Sequence, residues 1–97
     1  MNKYEALYII EAGLPEEETA ALIEKFSKVV TDNGGEVENV NEWGKRRLAY
    51  AIDYKTEGYY VLMDFKSSPE FPTELERKFR INEKIMRFMV IRKEDEK

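Results

Sequence analysis

The sequence predicts an α+β fold in which four strands and two helices follow one another in the order β-α-β-β-α-β. Three observations support this prediction. Four segments are rich in apolar, aromatic and β-branched residues, which favour strands. Two other segments repeat their apolar residues at helical spacing, as one face of a helix requires. The length of 97 residues is typical of a single domain.

The first half of the chain contains one strand and one helix. Residues 3–11 are apolar, aromatic and β-branched and predict a buried strand. Pro15 suits the first position of a helix, and the glutamates at 16–18 suit its positive N-terminal end. The Asn-Gly-Gly run at 33–35 tolerates a positive φ and ends the helix. Between these limits an apolar stripe follows one side of the helix: Leu22, Ile23, Phe26, Val29 and Val30.

The second half begins with a hairpin of two strands. Residues 37–52 predict a long strand, in which Gly44 marks a bulge or a bend. The polar segment 53–58 ends in glycine and predicts the connection. Residues 59–66 predict the next strand, since they are again mostly apolar and aromatic.

A second helix and a last strand complete the pattern. The Ser-Ser-Pro run at 67–69 predicts an N-cap and a first helical turn, although Pro72 also fits only near a helix start. The apolar residues of this helix are Phe71, Leu75 and Phe79. Residues 84–92 predict the fourth strand. We therefore expect one domain over residues 1–93 and a short charged tail over 94–97.

Two β-α-β units joined in this way, with right-handed crossovers, form the ferredoxin-like split β-α-β sandwich. Both helices then cover one face of a four-stranded antiparallel sheet, and the other face is open. Because a charge is rarely buried without a partner, Glu5, Asp64 and Arg87 should mark the open face. Alternation places an apolar and aromatic set beside them: Leu7, Ile9, Tyr60, Leu62, Met89 and Ile91. It places the opposite set under the helices: Ala6, Tyr8, Ile10, Val61, Met63, Phe65, Phe88 and Val90.

An open face of this composition is a large apolar surface to leave in water, and three explanations compete. A protein partner covers it, or RNA bases stack on it. The third explanation is that no ligand covers the face, either because Lys and Arg side chains shield it or because the predicted register is wrong.

The residue types that are missing exclude most enzymes. The chain has no cysteine and no histidine, so it has no thiolate nucleophile, no disulfide, no imidazole base and no zinc finger. The glutamates at 16–18 do not suggest a metal site, because consecutive helical residues point in different directions. We expect no enzymatic activity, no cofactor and no metal. The sequence also has neither a secretory pattern nor an apolar run of membrane-spanning length, so we expect a soluble cytoplasmic protein.

The charges are separated along the chain. The formal net charge of −4 divides into −7 over residues 1–42, +5 over 43–93 and −2 over the last four residues. The densest basic run, Lys45-Arg46-Arg47, lies between Trp43 and Tyr50. Arginine can bind phosphate bidentately or stack on a base, so the run suggests RNA binding. Alternatively, it is the basic edge of a sheet that repels wrong pairing.

Residues 43–52 (Trp-Gly-Lys-Arg-Arg-Leu-Ala-Tyr-Ala-Ile) resemble the signature segment of the family of ribosomal protein six of the bacterial small subunit. The resemblance extends over nearly the whole chain. It includes the Tyr-Glu pair at 4–5, the Gly-Gly stop at 34–35, the Gly-Tyr-Tyr strand start at 58–60 and the Arg-Ile-Asn-Glu run at 80–83. Ala51 stands where the family usually has proline.

The resemblance implies a structural role in the small ribosomal subunit. Family members bind the central domain of the small-subunit ribosomal RNA together with ribosomal protein eighteen, as a heterodimer. We therefore expect a ribosome-bound protein that supports subunit assembly and is a monomer when isolated. Family position and residue chemistry indicate six residues for RNA contact: Lys3, Arg46, Arg47, Arg80, Arg87 and Arg92. They indicate five for the protein interface: Trp43, Leu48, Tyr50, Tyr60 and Leu62. Tyr50 is also a candidate for the core.

The rival hypothesis is a stand-alone ferredoxin-like domain that self-associates or binds a ligand through its open sheet face. A stable homodimer of the isolated chain would favour this alternative over the ribosomal role.

Overall fold

The structural elements follow the predicted order: β1 Asn2–Glu11, α1 Glu16–Asp32, β2 Glu36–Ile52, β3 Lys55–Ser67, α2 Phe71–Arg80 and β4 Ile85–Arg92. They come from a computed structural model that describes residues 1–52 and 55–93. The four strands form one sheet in the order β2-β3-β1-β4, and all three neighbouring pairs are antiparallel. The predicted ferredoxin-like fold is confirmed.

The core lies between the two helices and one face of the sheet. Every residue predicted to lie under the helices is either fully buried or packed against the buried cluster. At its centre, the Tyr8 ring of β1 contacts Phe26 of α1 and Phe79 of α2, with ring centroids 5.4 and 4.9 Å away. The two phenylalanines are themselves 4.6 Å apart. Tilted aromatic pairs of this kind hold both helices on the same face of the sheet.

The α1 helix begins one residue after its predicted start. Pro15 is the N-cap, and its carbonyl oxygen accepts the first helical bond from the Thr19 amide at 3.1 Å. The helix ends as predicted at the Asn-Gly-Gly run. Gly34 has a φ of 81°, and the amide of Gly35 turns back to the carbonyl of Val30 at 2.9 Å. The glycines therefore supply the left-handed turn that ends many helices.

Replacing Gly35 with alanine should destabilise the protein by about 1–3 kcal/mol. An added Cβ would lie 2.7 Å from the main-chain oxygen of Lys66 and 2.8 Å from Val30 Cγ1. A backbone oxygen within the sheet cannot move aside easily. Urea denaturation measures the loss, and Gly13→Ala is the matched control, because its nearest neighbour would be 3.9 Å away. Equal stability of the two variants would contradict the expected clash.

The hairpin between β2 and β3 extends further than the sequence predicts. The polar segment 53–58 was expected to be a connection, but residues 55–58 belong to β3 and its ladder places Arg47 opposite Glu57. Asp53 and Tyr54 lie outside the described residues. The prediction was wrong because β1 ends at Glu11, opposite Gly58. Beyond that point the hairpin has no β1 beside it, so its strands do not need apolar residues.

The start of α2 was also predicted too early. Ser67 lies opposite Asn2 in the sheet and is buried, so the strand continues through the expected N-cap. The helix begins at Phe71, with Pro72 in its first turn. Proline suits this position because it has no amide hydrogen to donate. The predicted tail, residues 94–97, lies outside the described residues.

Candidate nucleic-acid and protein interface

The face of the sheet opposite the helices, here called the open face, is arranged in rows across β3, β1 and β4. Residues directly opposite one another on neighbouring strands share a face, so the register defines the rows. The first row, at one end of the face, is basic and contains Lys66 and Lys3. The second is acidic and contains Asp64 and Glu5, with Ile91 at its end on β4. The third row is apolar (Leu62, Leu7, Met89), and the fourth is mixed (Tyr60, Ile9, Arg87). This confirms the predicted open-face set.

The acidic row pairs with one lysine that was not predicted from the sequence. Asp64 and Glu5 lie opposite each other, and like charges in that arrangement are destabilising. The Nζ atom of Lys93 lies 2.9 Å from Asp64 Oδ1 and 3.9 Å from Glu5 Oε2. The hydrogen bond to Asp64 raises the pKa of Lys93 above its ordinary value. The lysine therefore stays charged at neutral pH, and its contribution to stability is lost only as the pH rises through that raised pKa.

A bulge in β2 brings Trp43 onto the open face. Glu42 lies opposite Val61 and Gly44 lies opposite Tyr60, so Trp43 is the extra residue on its strand. Gly44 has a φ of 80°, which glycine adopts without strain. The Trp43 ring is parallel to the Tyr60 ring, with an angle of 10° and centroids 6.1 Å apart. The bulge predicted at Gly44 is therefore confirmed.

The same bulge decides where the basic run points. Simple alternation from Trp43 would place Lys45 and Arg47 beside it. After the bulge the register instead places Arg46 opposite Gly58, on the open face, and Arg47 opposite Glu57, on the helix side. Arg46 also donates from Nε to the Trp43 carbonyl oxygen at 3.3 Å.

Leu48 and Tyr50 follow Arg46 along β2 but differ in exposure. Leu48 is only 8% exposed, and its side chain, with those of Ile9 and Met86, surrounds the space that a Cβ on Gly58 would need. In the chain alone Leu48 is therefore a packing residue and not part of the contact surface. Tyr50 is 59% exposed, which excludes the alternative that it belongs to the core. The guanidinium carbon of Arg87 lies 4.9 Å from the centroid of the Tyr50 ring.

The six residues predicted to contact RNA do not form one cluster. Lys3, Arg46 and Arg87 lie on the open face, by register. The other three lie on the helix side: Arg47, Arg80 and Arg92. Arg80 lies over the ring of Phe88, 5.6 Å from its centroid, and Arg92 donates to Asn2 Oδ1 at 3.4 Å. The structure therefore divides the predicted set between two sides of the sheet.

The acidic cluster at the start of α1 is placed away from the open face. The glutamates at 16–18 are exposed in the first turn of α1, which packs on the other side of the sheet. The glutamates stabilise the helix terminus there. A negatively charged ligand on the open face would have the sheet between it and this helix.

Within the described residues, no helix is both long and apolar enough to span a membrane.

The fold and this surface define a small α+β binding domain with a mixed basic and apolar sheet face. Comparison with known proteins identifies it further. The family model described as "Ribosomal protein S6" matches residues 3–92, and the chain belongs to this family. The resemblance inferred from residues 43–52 is therefore confirmed.

Relatives of known identity match nearly the whole chain. The small ribosomal subunit protein bS6 of Clostridium novyi is 55% identical over 94 residues, which cover 97% of this chain and 99% of the relative. The bS6 protein of Caldanaerobacter subterraneus is 50% identical over 95 residues, covering 98% and 100%. The crystal structure of 30S ribosomal protein S6 from Thermotoga maritima superposes with a TM-score of 0.90 at 31% identity, covering 95% of this chain and 87% of that one.

Family membership establishes the general role. The protein is a structural, non-enzymatic component of the small ribosomal subunit, associated with that subunit and its ribosomal RNA. It is therefore ribosome-bound, as the sequence predicts.

Proposed function

We propose that this chain binds the central domain of the small-subunit ribosomal RNA together with ribosomal protein eighteen, as a heterodimer, and thereby supports subunit assembly. The observation that carries this proposal is the composition of the open face. Exposed aromatic and apolar side chains lie next to arginines on one surface, which therefore suits a protein and an RNA at the same time.

The apolar part of the open face is the proposed site for the partner protein. Met89 is 54% exposed, Ile91 45% and Trp43 40%, and Tyr60 and Leu62 are half-buried between them. Contiguous exposed apolar side chains on a small protein mark interaction surfaces. Large aromatic residues at such surfaces supply much of the binding free energy. Trp43, Tyr60 and Leu62 are the proposed contacts, and Leu48, which lies beside Ile9 and Met86, is proposed to support this surface through packing.

The arginines next to this surface are the proposed RNA contacts. Arg46 and Arg87 are exposed on the open face, and Lys3 is exposed at its opposite end. Each group that neutralises a phosphate releases bound counterions, so the affinity should fall as the salt concentration rises. Arg47, Arg80 and Arg92 are proposed as a second set that reaches RNA from the helix side of the sheet.

Simultaneous binding explains why a protein of net charge −4 can serve an RNA particle. A few basic groups give weak affinity on their own, while a partner bound to the neighbouring surface adds contacts to the same RNA. Each ligand then increases the affinity for the other. On this proposal the isolated chain is a monomer that binds RNA poorly.

Affinity capture of the chain from a cell lysate, with and without ribonuclease, tests the proposal. We expect the untreated sample to contain small-subunit ribosomal RNA and protein eighteen, and the treated sample to retain protein eighteen. Loss of protein eighteen on ribonuclease treatment would contradict a direct protein interface. The alternative of self-association through the open face predicts a homodimer, which light scattering on the purified chain would detect.

A further inference from the structure

The contact between Tyr50 and Arg87 joins a residue predicted to bind protein to one predicted to bind RNA. We infer that these two side chains form a stacking platform for an unpaired RNA base. The inference rests on the proposed function, because it specifies one contact of the proposed RNA interface. It assigns Tyr50 to the RNA and leaves Trp43, Tyr60 and Leu62 to the partner protein.

The geometry of the pair suits a flat ligand. The Arg87 guanidinium carbon lies 4.9 Å from the Tyr50 ring centroid, so a planar cation covers one side of the ring. The tyrosine is nevertheless 59% exposed, and Arg87 is exposed as well. Unpaired RNA bases are bound by stacking on aromatic rings and on guanidinium planes. Both kinds of surface are present here, already in contact with each other.

The platform is held by the sheet and by an ion pair that fixes the hairpin. Arg87 lies opposite Ile9 in the ladder between β1 and β4, so its main chain is fixed. Tyr50 is on the part of the hairpin that extends past β1. The ion pair between Lys55 Nζ and Glu11 Oε1, 2.7 Å long, ties that part to the end of β1. The hydrogen bond from Lys55 also lowers the pKa of Glu11, which keeps this carboxyl group ionised at neutral pH.

Packing at Gly58 brings the hairpin close to the open face. A Cβ at this position would collide with Ile9 Cγ2, and it would lie 3.5 Å from Leu48 Cδ2 and 3.7 Å from the Met86 sulfur. The missing side chain thus allows Leu48 to be buried against the sheet. Tyr50, two residues further along β2, is then carried over β4, where Arg87 lies.

The surrounding charges favour a nucleic acid over a protein at this position. Residues 43–52 contain Lys45, Arg46 and Arg47 and no acidic residue. Arg46 lies on the same face as Arg87 and can neutralise the phosphates that flank a stacked base. A protein segment would need several acidic groups to match this charge, whereas every nucleotide brings a phosphate and a planar base together. Since every base has a flat π surface, the platform should tolerate different bases.

The test uses the full chain, ribosomal protein eighteen and an RNA fragment that spans the central domain of the small-subunit ribosomal RNA. Tyr50→Leu should weaken RNA binding in the presence of protein eighteen by about tenfold, while Tyr50→Phe, which keeps the ring, should bind like the wild type. Arg87→Lys keeps the charge but not the plane. Arg87→Lys should therefore bind RNA more weakly, with an unchanged dependence of the affinity on salt concentration. Arg87→Met should also bind RNA more weakly, and its affinity should depend less on salt concentration.

The decisive readout is binding of protein eighteen without RNA. The inference predicts that Tyr50→Leu leaves this affinity unchanged. An equal loss with and without RNA would identify Tyr50 as a protein contact and overturn the inference, as would unchanged RNA binding by Tyr50→Leu. If the wild-type chain binds protein eighteen but no RNA, the RNA part of the proposed function fails along with the inference. If the wild-type chain binds RNA and Tyr50→Leu binds it equally well, the stacking platform is contradicted but the proposed function is not.

Discussion

Replacing Trp43 with alanine should weaken the binding of ribosomal protein eighteen by about 30-fold, which corresponds to about 2 kcal/mol. Trp43 is 40% exposed in the chain alone and stacks in parallel on Tyr60, at the β2 edge of the apolar part of the open face. A large aromatic side chain that becomes fully buried on binding is the type of residue that dominates protein interfaces. Isothermal titration calorimetry measures the loss directly.

A matched control separates this effect from a general loss of exposed apolar surface. Ile81 is 64% exposed and follows α2, outside the four strands that make the open face. Ile81→Ala should leave the affinity for protein eighteen unchanged. Because Trp43 is the only tryptophan in the chain, its fluorescence should also shift to shorter wavelength when a partner without tryptophan binds. Equal effects of the two substitutions would place the partner on another surface.

Replacing Arg46 with alanine should weaken RNA binding by about fivefold, or about 1 kcal/mol, and reduce the slope of log affinity against log salt by about 0.7–0.9. Arg47→Ala should have a smaller effect, because Arg47 lies opposite Glu57 on the helix side of the sheet. Both arginines are exposed, so neither substitution should change the thermal midpoint appreciably.

This pair of variants is informative because the two arginines are adjacent in the chain and have the same charge. Filter binding at several salt concentrations, with protein eighteen present, measures both the affinity and the slope. A net-charge effect would lower the affinity equally in the two variants. If the position of the arginine on the sheet matters, Arg46→Ala should lose more RNA affinity than Arg47→Ala. If Arg47→Ala lost more affinity than Arg46→Ala, the main RNA contact would lie on the helix side and not on the open face.

The two faces of the sheet were predictable from the sequence because charge and alternation agree. Glu5, Asp64 and Arg87 each interrupt an apolar strand, and each was correctly predicted to point away from the helices. The resemblance of residues 43–52 to a known family was specific enough to give the family correctly. Local patterns were sufficient in these cases, since each depended on residues close together in the chain.

Other features depend on contacts between distant segments. Gly44 indicated a bulge, but only the pairing with β3 shows that Trp43 is the extra residue and that Arg46 therefore shares its face. Lys93 forms ion pairs with Asp64 and Glu5 from the far end of the chain. Two acidic residues predicted on one face indicated that a cation should lie near them, but they did not indicate which lysine or arginine it would be. Residues 55–58 were wrongly predicted to be a connection because they are polar. They can be polar within a strand because β1 ends opposite Gly58 and does not extend further alongside them.

The measurement that tests the central claim most directly is the affinity of the chain for a central-domain RNA fragment, with and without ribosomal protein eighteen, at physiological salt. If the open face holds a protein and an RNA together, the chain alone should bind weakly. Saturating protein eighteen should then increase its affinity by at least about tenfold, within the usual range of coupling free energies. Tight binding by the chain alone, unchanged by protein eighteen, would contradict the account.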